Sequence, residues 1–120
     1  MKDIKIVCGA NFGDEGKGLM TDYFSQKPNS IVICSNGGAQ RGHTVTTPDA
    51  IRHVFHHFGS GTFNRASTYL SEDFIVNPII FKQEYDELMK LNYIPNTEVT
   101  VITYNDKDYI SLTDMVRNME

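Results

Sequence analysis

The stretch Gly9-Ala10-Asn11-Phe12-Gly13-Asp14-Glu15-Gly16-Lys17-Gly18 directly follows the apolar run Ile4 to Cys8, and this junction constrains the fold more than any other part of the chain. Glycines at 9, 13, 16 and 18 let backbone N–H groups turn inward around an anion, and a helix starting just after them adds its positive N-terminal end. Strand, glycine loop and helix open an α/β unit, whose ligands sit at the carboxyl ends of the strands. Acidic residues in such a loop would repel phosphate. Asp14 and Glu15 therefore call for another role, either a metal contact or a proton to remove.

The order of elements supports this reading. Ile4 to Cys8 is expected as a buried parallel strand, Glu15 to Gln26 as a helix with Leu19, Met20, Tyr23 and Phe24 on one face, and Ser30 to Cys34 as a second buried strand. A right-handed β-α-β crossover then places the loop beside adjacent strand ends. A second glycine-rich segment, Asn36-Gly37-Gly38-Ala39-Gln40-Arg41-Gly42-His43-Thr44, leaves the second strand, so two loops converge. Thr44 to Thr47 and Ile51 to Phe55 predict a hairpin around Pro48-Asp49, and Ser60-Gly61-Thr62 starts a loop region ending near Asn64. Thr68 to Ser71 and Phe74 to Val76 are short strand candidates. Asn77-Pro78 is a helix start, and Phe81, Tyr85 and Leu88, with Met89 beside them, recur at helical spacing as core packing.

After Ile94-Pro95-Asn96 the rhythm changes. Val99 to Thr103 and Asp108 to Ile110 flank the turn pair Asn105-Asp106 as a second hairpin, and Ser111-Leu112-Thr113-Asp114 opens a helix. The expected organisation is thus residues 1–95 as one α/β portion, an incomplete, mostly parallel sheet, and 97–120 as the start of a second segment.

Composition narrows the class. A content of 40% hydrophobic and 22% charged residues over 120 residues is that of a small globular domain. No apolar run approaches a membrane span, and the start lacks the apolar core of a signal peptide, so a cytoplasmic protein away from membranes is expected. Cys8 and Cys34, at the ends of expected strands, are taken as free packing residues rather than a disulfide. Net charge is −4, which argues against a nucleic-acid surface. His53, His56 and His57 look like a metal cluster. On a strand, however, the last two point to opposite faces, and no cysteine or carboxylate completes the set. His43 has a purely structural reading too, as a cap for the strand that follows.

The first loop departs from the common nucleoside-triphosphate loop, having Asn11 where a glycine is required and Gly18 where a serine or threonine is required. Gly-Asp-Glu-Gly-Lys-Gly after one strand and Gly-Gly-x-x-x-Gly-His-Thr after the next instead resembles the adenylosuccinate synthetase family. The likeness continues through His56-His57-Phe58-Gly59-Ser60-Gly61 to the Asn77-Pro78 helix, covering about residues 3 to 95. The resemblance implies a P-loop-NTPase-like α/β fold and a GTP-dependent ligase. Such an enzyme phosphorylates O6 of inosine monophosphate and lets aspartate displace the phosphate. It further implies Asp14 as general base and magnesium contact, His43 as the acid facing O6, Lys17 as a phosphate contact and the Gly42 carbonyl as a magnesium ligand. The implied nucleotide-binding set is Gly13, Glu15, Gly16, Lys17, Gly18, Gln40, Gly42, His43 and Thr44, with Mg2+ as cofactor and GTP as phosphoryl donor.

Gln40 stands where the family usually has asparagine and Arg41 where it has a small residue, changes able to alter the base or phosphate accepted. A branch making the 2-amino analogue favours serine at the position of Asp14. Family enzymes are several times longer, so aspartate binding belongs to a fuller chain and activity of this length is in question. The apolar edge of so small a sheet favours a homo-oligomer.

The tail from Ile102 to Met115 resembles the opening hairpin and first helix of a KilA-N domain, a phage-type DNA-binding module. That gives an alternative reading as a DNA binder, beside that of an inactive fragment. From Thr97 onward, however, Lys107 and Arg117 face Glu98, Asp106, Asp108, Asp114 and Glu120, an acidic balance unsuited to DNA phosphates.

Overall fold

The computed structural model describes residues 3–13 and 15–94, together with the strand backbones Ile102–Tyr104 and Lys107–Tyr109. The chain is α/β, and its described residues form two parallel strand pairs and two antiparallel ones. In chain order the main elements are α1 (Lys17–Phe24), β1 (Ile31–Cys34), β2 (Gly37–Gly38), β3 (His43–Thr46) and β4 (Arg52–Phe55). A 3-10 turn (Ser60–Asn64), β5 (Ser67–Leu70), β6 (Phe74–Ile75), α2 (Pro78–Lys90), β7 (Ile102–Tyr104) and β8 (Lys107–Tyr109) follow. Among the described residues no helix is long and apolar enough to cross a membrane.

β1 runs parallel to β5 with Val32 opposite Thr68 and Cys34 opposite Leu70, and β2 runs parallel to β6. β3 and β4 form the expected hairpin, in register His43 to Phe55 and Val45 to His53. Its turn closes through Thr47, whose backbone N–H bonds the Ile51 carbonyl and whose hydroxyl accepts from the Ile51 N–H. The inward residues of this hairpin, Val45 and Phe55, pack on Leu88 of α2 with Phe58, Phe63, Tyr93 and Ile94 around them. Phe81 and Tyr85 extend the same core. α2 begins as its sequence dictates: Asn77 Oδ1 accepts from the N–H groups of Ile79 at 3.1 Å and Ile80 at 3.2 Å, and Pro78 fills the first turn, where no donor is needed.

Three expectations are corrected. β1 forms, but it is not buried as expected: Ile31 and Ile33 are 65% and 66% exposed, and only Cys34 is buried. Residues 4–8 form no strand: Ile4 and Ile6 are 87% and 83% exposed, so the first arm of the expected β-α-β unit is missing. A strand exists only through the ladder its neighbour supplies. β1 pairs with β5, and the 4–8 segment has no such neighbour among the described residues. Cys8 accordingly is exposed rather than packed, while Cys34 is buried, and both are free.

α1 also docks unexpectedly. Its apolar face of Leu19, Met20, Tyr23 and Phe24 is turned outward, and the side that packs inward is small and polar. Gly18 is buried against β3, Ser25 is buried against Gly61, and Asn64 donates to both the carbonyl and the carboxylate of Asp22. Small residues let two backbones approach closely, and that approach brings α1 to the second loop. The tail hairpin pairs Thr103 with Asp108, as expected for antiparallel strands, and the helix expected from Ser111 lies outside the described residues.

Candidate functional site

The first loop curls on its own carboxylate. Glu15 Oε1 accepts from the backbone N–H of Asn11 at 2.7 Å and of Gly13 at 3.2 Å, while Glu15 Oε2 lies 2.8 Å from Lys17 Nζ. The bond from Lys17, then the N–H groups of Gly13 and Asn11, outweigh burial and hold the Glu15 carboxyl down to about 2. Gly13 and Gly16 take φ values of 118° and 76°, a region costly for any side chain, and Gly16 in that conformation starts α1. Lys17 is thus the first helical residue and its ammonium folds back to the loop, also donating to the Gly13 carbonyl at 3.3 Å. Asp14 lies outside the described residues.

The second loop is stitched down by groups that sequence reasoning did not assign. Arg41 Nε donates to the His56 carbonyl, and its terminal nitrogen donates to the carbonyls of His57 and Phe58, both at 3.1 Å. In return His56 Nδ1 lies 2.9 Å from the Ala39 carbonyl and 2.6 Å from that of Arg41. Two carbonyl acceptors require a proton on that nitrogen. The backbone N–H groups of the same turn point the other way. Those of His56, His57 and Phe58 donate to the carboxylate of Glu84 at 2.9, 2.7 and 3.3 Å.

Glu84 is only 3% exposed. Burial alone would raise its carboxyl, but contact with His53 and the N–H bonds from His57 and His56 win and lower it. The reading that no carboxylate meets the histidines is therefore corrected. Glu84 reaches His53 Nε2 at 3.7 Å and His57 Nδ1 at 3.4 Å, and Glu87 reaches His53 Nδ1 at 3.2 Å. Its oxygens already accept three N–H bonds, which makes it a structural knot. His57 Nε2 accepts from the Asn77 N–H at 3.0 Å, and burial pushes its pKa down, so the ring is neutral with its proton on Nδ1. A signal for Glu84 was present in the sequence: it falls between Phe81 and Tyr85 on the buried face of α2, where a charge needs partners.

The two loops meet at one contact. A Cβ placed on Gly18 would lie 2.6 Å from His43 Cβ and 3.1 Å from His43 Cα, so only glycine permits this approach of α1 to β3. Lys17, Gly18 and His43 are thereby gathered together. His43 is half-buried, and burial first, then the charges of Arg41 and Lys17, lower its pKa. The ring is neutral at neutral pH. Gly42 sits against Val54, where a Cβ would come within 3.2 Å of Val54 Cγ1. Gln40 and Thr44 are exposed, Thr44 at the register position opposite Val54 and Gln40 with its Oε1 against Gly38. Arg41, a departure flagged from the sequence, is spent on carbonyl oxygens and lies over the Phe74 ring at 4.9 Å. It is part of the scaffold.

In the first loop two backbone N–H groups and the Lys17 ammonium converge on the Glu15 carboxylate, and α1 then meets the second loop where Gly18 approaches His43. Comparison with known proteins gives the family. A sequence profile of the adenylosuccinate synthetase family matches residues 6–110. The chain is 36% identical over 86 residues to the adenylosuccinate synthetase of Thermoplasma acidophilum, covering 72% of this chain and 19% of that protein. It is 33% identical over 90 residues to that of Flavobacterium psychrophilum, covering 74% and 21%. With that of Borrelia duttonii it shares 36% identity over 107 residues, 89% of this chain and 23% of the relative. The chain therefore spans about a fifth of the length of the curated relatives it matches.

Proposed function

The chain belongs to the adenylosuccinate synthetase family, and from that premise we propose that the junction of its two glycine loops binds a purine nucleotide through its phosphate. In this reading it supplies the phosphate-handling part of the GTP-dependent ligation of aspartate to inosine monophosphate. The observation that supports the proposal is the Gly18 to His43 contact, which brings the helix start next to Lys17 against the backbone of the second loop.

Each residue has a task its chemistry suits. Lys17 neutralises phosphate charge, and the N–H groups of Asn11 and Gly13, which donate to the Glu15 carboxylate, are the fixed donors a phosphate would take over. His43, kept neutral by burial and by Arg41 and Lys17, donates one N–H toward negative charge developing on the purine O6. Asp14 takes the N1 proton, a contribution of about 10² to 10⁴ in rate for a held base. The donor set is of oxygens, the Asp14 carboxylate and the Gly42 carbonyl, which fits magnesium when phosphates fill the remaining positions. Magnesium bound there would neutralise phosphoryl charge. Positioning and neutralisation are most of what phosphoryl transfer requires.

Calorimetry with GTP, inosine monophosphate and magnesium tests the reading. Saturable heat that Lys17→Ala removes supports it; the absence of heat from every combination at high protein concentration overturns it.

A further inference from the structure

The donors that the first loop would offer a phosphate are already engaged by a side chain of the loop itself. Asn11 N–H, Gly13 N–H and Lys17 Nζ all converge on the carboxylate of Glu15, at 2.7, 3.2 and 2.8 Å. A carboxylate and a phosphoryl group present the same face to such donors, a pair of oxygens sharing negative charge. The pair lies flat on the backbone of Gly9, where a Cβ would come within 2.8 Å of both Glu15 Oε2 and Lys17 Nζ. Gly9, a glycine with no positive φ among those at the loop, is thereby explained by what lies over it.

On the premise that the first loop takes a phosphate, we propose that Glu15 is a resident stand-in for it: a phosphate oxyanion enters by displacing the Glu15 carboxylate from Asn11, Gly13 and Lys17. The same contact holds Lys17 against the loop instead of letting it reach into solvent. Glu15 and a phosphate cannot both occupy the donors, because two anions in contact repel. Affinity is set by an exchange of one anion for another, so Glu15 lowers it and makes it selective for groups with more charge than a carboxylate.

The test uses the full chain, inorganic pyrophosphate as probe and magnesium-free buffer, with binding read by calorimetry and by the amide resonances of Asn11 and Gly13. Glu15→Gln and Glu15→Ala should each bind pyrophosphate about tenfold more tightly than wild type, the scale of losing one charge-assisted competitor. Acetate, carrying the displaced group's own chemistry, should perturb the Asn11 and Gly13 amides of Glu15→Ala and leave those of wild type in place. Binding by wild type that weakens in Lys17→Ala, together with equal or weaker binding by both Glu15 variants, keeps the phosphate reading and overturns the stand-in. No binding by wild type or any variant overturns both.

Discussion

Glu84→Ala removes a buried carboxylate that accepts three backbone N–H bonds, at 2.9, 2.7 and 3.3 Å, and its cost can be worked from that geometry. A hydrogen bond to a charged group contributes about 1.5–3 kcal/mol, and each buried donor stripped of its partner costs about 1–3 kcal/mol. The N–H groups of His56 and Phe58 are half-buried and regain some water; that of His57 is buried and does not. A loss of about 3–5 kcal/mol follows, which matches the usual cost of breaking a buried charged contact. Against a total of roughly 5–15 kcal/mol for a domain, that is a large share. Glu84→Gln keeps one acceptor oxygen and should lose about half as much. Urea unfolding monitored by circular dichroism gives both values. The effect should also travel: the 56–58 turn holds Arg41 and the second loop, so amides from Ala39 to His43 should shift in Glu84→Ala while those of the distant Thr47 turn hold. A cost below about 1 kcal/mol, or a second loop whose amides do not move, would refute the knot.

Other outcomes can be measured on the same material. Stability should fall on acidification in two stages: His57, whose pKa is lowered from 6.5, stays neutral in the fold while the unfolded chain gains a proton as pH drops below 6.5. Glu84, lowered from 4.5, then contributes stability present above 4.5 and lost as pH falls through its folded value, so Glu84→Gln should flatten this lower stage of a pH-resolved urea series and, because Glu84 partly offsets the lowering of His57, deepen the upper one. Gly18→Ala should destabilise by about 1–3 kcal/mol through overpacking on the His43 backbone, in spite of alanine's better helix propensity, and thermal unfolding reads it. In a chain with ligase turnover, Asp14→Ala should abolish product formation while changing GTP affinity less than about tenfold; equal loss of both in a coupled assay and calorimetry would assign Asp14 to metal binding alone.

Features fixed by near neighbours in sequence were the legible ones. The Asn77-Pro78 start, the Phe81, Tyr85 and Leu88 stripe and the hairpin around Pro48-Asp49 depend on capping, spacing and turn chemistry, and each stands where the residues place it. Ile4 to Cys8 has the composition of a strand, yet a strand needs a ladder partner that its own residues do not provide. The apolar face of α1 shows the same limit: periodicity identifies the face, while the close approach allowed by Gly18 and Ser25 decides which side docks. At the candidate site, the two loops were expected to meet through a β-α-β crossover; with no strand at residues 4–8, they meet instead where Gly18 approaches His43. Arg41 read as a change near the ligand because a long side chain's direction is set by distant carbonyls. Glu84 was legible only as a misplaced charge, since its three donors come from a turn about 27 residues earlier.

The contact between Gly18 and His43 is the claim on which the site depends, and proton NMR reaches it directly. Nuclear Overhauser effects between the Gly18 α protons and the His43 β protons are expected, with His43 titrating below 6.5 and its ring signals shifting when GTP is added. The absence of those effects, with His43 titrating at 6.5 and indifferent to GTP, would contradict a site shared by the two loops.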